Sequence, residues 1–232
     1  MTAAINGDRA MPLVEHLVEL RRRLIFSLWI LLGGTVLVYQ WSGPILSWLA
    51  RPVGGLVFNA PTDAFYTRCK VAVFGGFLLS LPLILHQVWL FVGCALEERL
   101  RKPMLRILPI SYFLFVGGAA LAVFGVVPGA MHFLLAYGSD EIKQLLTLSA
   151  YLQFVTGLAL AFGLMFQMPL VLYFLNKVGV VTKEQLSSRR QYIYLLSFIA
   201  AGVMTPGPDV FSQLALGVPS IVLFEITLLA MN

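Results

Sequence analysis

Charge is scarce in this chain: Asp, Glu, Lys and Arg supply only 12% of its 232 residues, about half the ~25% usual in a soluble domain. Cysteine is nearly absent. Cys69 and Cys94 show no metal or redox spacing and lie towards opposite faces of one apolar segment, so no disulfide between them is expected. Signatures of catalysis are missing as well. There is no GxxxxGK[ST] phosphate loop, no HExxH zinc motif, no GxSxG elbow and no apolar-segment serine with a histidine at matching depth. ATP hydrolysis and proteolysis are therefore unsupported, and neither enzymatic activity nor a cofactor is expected.

What abounds is apolar surface. Hydrophobic residues make up 59% of the chain and mean hydropathy is +0.87, values of an integral membrane protein. The opening MTAAINGDRAMP lacks the apolar core and cleavage site of a secretory signal, and we expect it to be retained. The net charge of +5 bears on orientation in such a chain, and no nucleic-acid partner is expected.

Six apolar stretches, at 24–41, 71–96, 104–137, 152–176, 191–204 and 214–231, predict an all-α membrane protein of six spans in a single domain. A hydrocarbon core of ~30 Å needs ~20 helical residues. The last two stretches are short, and the fifth, at ~1.5 Å per residue, reaches only ~21 Å. Basic residues separate by side. Twelve, among them Arg9, Arg21, Arg22, Arg23, Arg99, Arg101, Lys102 and Arg106, fall on one side, against Arg51, Arg68, Lys70 and Lys143 on the other. The positive-inside rule then predicts both termini in the cytoplasm.

Two external caps follow from that topology, at 42–70 and 138–151. In the first, SGPILSWLARP predicts a short amphipathic helix ended by Pro52, and NAPTDAF an extended link. Pro82, Pro109, Pro128, Pro169 and Pro219 interrupt the spans. Each removes a backbone hydrogen bond and tends to bend its helix, and bent helices make concave walls. Gly125 with Gly129 and Ala159 with Gly163 are small pairs suited to close helix packing.

Polar groups inside the spans are few. Glu225 lies in the sixth span near its cytoplasmic end, and Gln167 sits two residues before Pro169 in the fourth; either can serve structure or contact a partner helix. His86 and His132 cannot share a haem. The first lies about ten residues, ~15 Å, from the cytoplasmic end and the second near the external face.

The stretch HLVELRRRL at 16–24 carries the densest charge. Leu13, Leu17, Leu20 and Leu24 form the apolar stripe of an interfacial helix expected over 12–23. Glu19 precedes Arg23 by four residues, a pairing worth ~0.2–0.5 kcal/mol when exposed.

With APTDAF at 60–65, QVWLF at 87–91, FGLMFQMP at 162–169 and TPGPDVFSQ at 205–213, this stretch makes the chain resemble, over almost its whole length, the TatC family of the twin-arginine protein translocase. The resemblance implies a kinked, concave, glove-like bundle in the cytoplasmic membrane of a prokaryote, an organellar membrane being less favoured. It implies a receptor for the Arg-Arg signal peptides of folded proteins, partners of the TatA and TatB single-span type, self-association, and export driven by the proton-motive force.

It further implies a signal-peptide site of Glu19, Arg21, Phe91 and a second carboxylate in the loop after QVWLF. There this chain departs from the family pattern. It reads GCALEERLRK, with Cys94 and Leu100 where proline and an acidic residue are usual, so the second carboxylate falls to Glu97 or Glu98. Pro52 maps onto the external cap, and Gln167, Gln213, Asp209 and Glu225 onto contacts with partner helices, although Asp209 also suits a helix cap. Two other readings stay open: a proton-coupled small-solute transporter, and a membrane assembly scaffold. A transporter wants several ionisable groups at mid-membrane, and Glu225 stands nearly alone.

Overall fold

A computed structural model describes residues 13–51, 56–57, 60–94, 107–136, 146–207 and 209–231. Among these the chain is helical, with one isolated parallel bridge between Val57 and Thr147. The helices are α1 (Leu13–Tyr39), α2 (Ser42–Ala50), α3 (Pro61–Cys94), α4 (Ile107–Leu135), α5 (Leu148–Val178), α6 (Lys183–Ser188), α7 (Arg190–Met204) and α8 (Val210–Ala230). The all-helical expectation holds. Five of them, α1, α3, α4, α5 and α8, are long and apolar enough to cross a membrane. With 15 residues, α7 reaches only ~22 Å.

Nothing separates HLVELRRRL from the apolar run behind it. The signature forms the first turns of α1, a single helix of 27 residues, where a distinct interfacial helix over 12–23 was expected. The junction holds neither Gly nor Pro, and its Leu, Arg and Ile residues sustain a helix. The link expected through NAPTDAF is also helical from Pro61 onward. Proline is favoured in the first helical turn, and the Asp63 carboxylate accepts the Ala60 N–H at 3.2 Å. Cys69 carries a free thiol; it lies 25 residues from Cys94 along α3, ~37 Å at helical rise.

Two prolines alter the helices they enter. Proline removes an N–H and crowds the carbonyl four residues back. Ahead of Pro128, α4 widens into a π-turn at Leu121–Val126, with the Val127 N–H bonded five residues back to the Ala122 carbonyl. Ahead of Pro169, α5 breaks at Phe166–Gln167, and the next turn opens with the Gln167 carbonyl accepting from the N–H groups of Leu170 and Val171. In contrast, α3 and α8 run on through Pro82 and Pro219.

Antiparallel α1 and α3 pack backbone to backbone. A Cβ on Gly76 would stand 2.5 Å from the Thr35 nitrogen, and one on Gly34 would stand 2.8 Å from the Gly76 carbonyl oxygen. The Ser80 hydroxyl donates across the same seam to the Ile30 carbonyl at 3.1 Å. The main core lies between α3, α4 and α5, where Leu81, Phe115, Ala122, Leu158, Ala159 and Phe162 are buried. Of the small pairs expected to pack, Gly129 faces Phe211 and Gly163 faces Phe115, whereas Gly125 meets only Leu121 of its own helix. Large apolar side chains cover the outside, Val203 and Leu229 being 81% exposed; such a surface suits lipid.

Candidate functional site

The first turns of α1 lie against the last turns of α3, which brings HLVELRRRL and QVWLF together. The rings of His16 and Phe91 stack with centroids 4.4 Å apart and planes at 23°. Glu19 Oε1 pairs with Arg23 Nη2, while Arg23 Nη1 donates to Gln87 Oε1 at 3.2 Å. The pair is more sheltered than a surface pair, with Glu19 and Arg23 side chains 23% and 17% exposed. A groove of about 460 Å³ opens here, lined by Glu19, Arg22, Arg23, Phe26, Trp29 and Gln87, with Ile25. One end is ionic and the other aromatic.

An ionised carboxylate has two oxygens and about four acceptor positions. The pairing with Arg23 uses Oε1, so Glu19 retains acceptor capacity towards the groove. Arg21 and Arg22 are exposed beside it. So is Glu15, one turn before Glu19 and in the first turn of α1, where the helix dipole favours negative charge. Sequence reasoning gave Glu15 no role. It also passed over His16 and Gln87, although both stand inside the blocks that carry the family resemblance. Glu97 and Glu98 lie outside the described residues, as does Pro52.

The polar residues assigned to partner contacts are engaged within the chain. Gln167 bridges the break in α5 to α4: its Oε1 accepts from the Ser111 hydroxyl, and its Nε2 donates to the Ser111 carbonyl at 2.9 Å. Gln213 Nε2 donates to the Phe198 carbonyl at 3.1 Å, tying α8 to α7. Asp209 caps α8, its Oδ1 accepting from the Ser212 N–H at 2.6 Å. Glu225 Oε1 accepts from the Tyr194 hydroxyl, and Oε2 lies 3.6 Å from Arg190 Nη2. Among the described residues no cluster of three or more His, Cys, Asp or Glu side chains could hold a metal.

The model of the family described as "Sec-independent protein translocase protein (TatC)" matches residues 15–219. The chain belongs to the TatC family. It is 38% identical over 225 residues to the TatC of Carboxydothermus hydrogenoformans, covering 95% of this chain and 93% of that one. It is 35% identical over 226 residues to the TatC of Aquifex aeolicus, with 94% and 93% covered. A crystal structure of the twin-arginine translocase receptor TatC superposes with a TM-score of 0.79 at 35% identity, covering 92% of this chain and 96% of that chain. A second, in the detergent DDM, gives 0.81 at 35% identity over 94% and 99%. TatC membership makes the chain a translocase component that works within a complex, and not an enzyme. It also makes it a multi-pass membrane protein, in keeping with its apolar helices.

Proposed function

We propose that this TatC binds the paired arginines of twin-arginine signal peptides in the groove beside α1, with Glu19 as the receiving carboxylate. The observation that carries the reading is the Glu19–Arg23–Gln87 chain, which holds a carboxylate at the rim of a groove whose far end is Phe26 and Trp29. A guanidinium fork pairs bidentately with a carboxylate, which a lysine ammonium cannot do. The remaining acceptor positions of the carboxylate admit an incoming arginine before Arg23 lets go, and the aromatic end suits the apolar run behind the arginine pair. Arg21 and Phe91 border the site, Glu97 or Glu98 supplies the second carboxylate, and Glu15 adds negative charge one turn away.

In this reading the chain spans the cytoplasmic membrane of a prokaryote six times, α7 being the short span, with both termini and the groove in the cytoplasm. Single-span partners of the TatA and TatB type, and further copies of this chain, assemble on it, with Gln167, Asp209, Gln213 and Glu225 near the contacts and Pro52 shaping the external cap. The proton-motive force drives export. The proton-coupled transporter reading loses support from Glu225, whose carboxylate is held by Tyr194 and Arg190.

Site-specific photo-cross-linking tests this. A probe at Phe26 should capture an Arg-Arg signal peptide and largely miss its Lys-Lys counterpart; equal capture would leave only a scaffold that does not recognise cargo.

A further inference from the structure

The opposite end of the bundle holds a second concavity, apart from the groove at Glu19. A trench of about 510 Å³ runs between α1, α3, α4 and α5 beneath α2. It falls within the ~300–1,000 Å³ of sites that take organic ligands. Its lining is almost wholly apolar, from Val38 and Val71 down to Leu79 and Tyr112, and the π-turn in α4 contributes Val123 and Phe124. Five of those residues, Trp48, Leu49, Val123, Phe124 and Val155, also line a smaller cavity of about 190 Å³ whose rim includes Arg51. The two are one continuous surface, apolar in its depth and cationic at its mouth.

The mouth is rigid. Ile45, Leu46 and Leu49 of α2 pack on Val71, Leu148 and Leu152, and the Tyr151 hydroxyl donates to the Leu49 carbonyl at 2.9 Å. Trp48 stands edge-on to Phe124, ring centroids 5.6 Å apart. Arg51, exposed directly after α2, has no acidic partner among the described residues. The nearby Lys70, by contrast, donates to the Ser149 hydroxyl at 3.2 Å. From Val71 to Leu79 the trench descends ~12 Å at helical rise, close to one leaflet of a ~30 Å core. Tryptophan beside arginine at that depth is the pattern of a membrane interface.

We propose that this trench is a binding site for one anionic phospholipid of the leaflet around α2, its acyl chain lying along Val123 and Trp48 and its phosphate on Arg51. The depth matches a chain confined to one leaflet, and the Arg51 guanidinium, without an acidic partner among the described residues, supplies the charge complement to the headgroup.

Quenching of Trp48 in nanodiscs tests it, using phosphatidylglycerol or phosphatidylcholine brominated on identical acyl chains, with Trp48→Phe to isolate that residue's share of the fluorescence. Phosphatidylglycerol should half-quench Trp48 at about fivefold lower mole fraction, the weight of one basic side chain at a lipid surface. Arg51→Gln should erase the difference between the two lipids. Val123→Phe should reduce quenching by both. Equal quenching by the two lipids in the unmodified protein, or a preference that survives Arg51→Gln, overturns the proposal. So does quenching by a peptide with a brominated apolar core where neither lipid quenches, since the trench would then hold peptide.

Discussion

Arg23 of α1 holds Gln87 of α3 at 3.2 Å with one guanidinium nitrogen while the other pairs with Glu19 one turn earlier on its own helix. That single side chain fixes the carboxylate of the N-terminal signature against the block QVWLF. Sequence distance between them is 64 residues, so the site exists only when α1 and α3 are packed.

Removing Gln87 separates positioning from binding. Gln87→Leu should cost about 1 kcal/mol of stability, the net weight of one ordinary hydrogen bond. Arg-Arg peptide binding should weaken by a smaller factor than in Glu19→Ala, because the carboxylate stays in place. Thermal unfolding and peptide titration on the same detergent-solubilised sample report both.

The α1–α3 seam gives a paired test on glycines. Gly76→Ala puts a Cβ 2.5 Å from the Thr35 backbone nitrogen and should destabilise by about 1–3 kcal/mol, the range for overpacking. Gly33 has nothing within 4 Å of its added Cβ, so Gly33→Ala should be neutral or stabilising by up to ~1 kcal/mol. Unfolding in mixed micelles should rank them in that order, and peptide binding by Gly76→Ala should fall with the loss of seam geometry.

Much of the fold was legible because composition and helical periodicity respond to the same solvent. Apolar runs and helix-forming residues located α1, α3, α4, α5 and α8, and the five blocks in order pointed to the family. Local chemistry misled at 60–65, where Pro61 and Asp63 resemble loop residues yet open α3 as first-turn proline and capping carboxylate. The π-turn at Leu121–Val126 was illegible, since Pro128 signals disruption without specifying whether the helix bends, breaks or widens. Gly34 and Gly76 escaped notice because they face each other across two helices and show no spacing within either one. In the site, the Glu19–Arg23 pair follows from helical spacing, whereas its anchoring by Gln87 is a tertiary fact.

Gln167 separates a structural role from a partner contact. Its two bonds to Ser111 predict that Gln167→Leu loses about 0.6–1.7 kcal/mol, from the average to the largest value for an interhelical hydrogen bond in a membrane. Ser111→Ala should lose less, because the carbonyl bond to Nε2 survives it. Unchanged stability with failed copurification of single-span partners would assign Gln167 to the partner surface.

The most direct measurement is the affinity of an Arg-Arg signal peptide for the purified protein in nanodiscs, compared with Glu19→Ala and with a Lys-Lys peptide. Truncating one member of a sheltered charge pair costs at least ~2 kcal/mol, about 30-fold. The Glu19→Ala protein should therefore bind the Arg-Arg peptide about 30-fold more weakly and no longer distinguish it from Lys-Lys. A Glu19→Ala protein that keeps both the affinity and the discrimination would contradict the account.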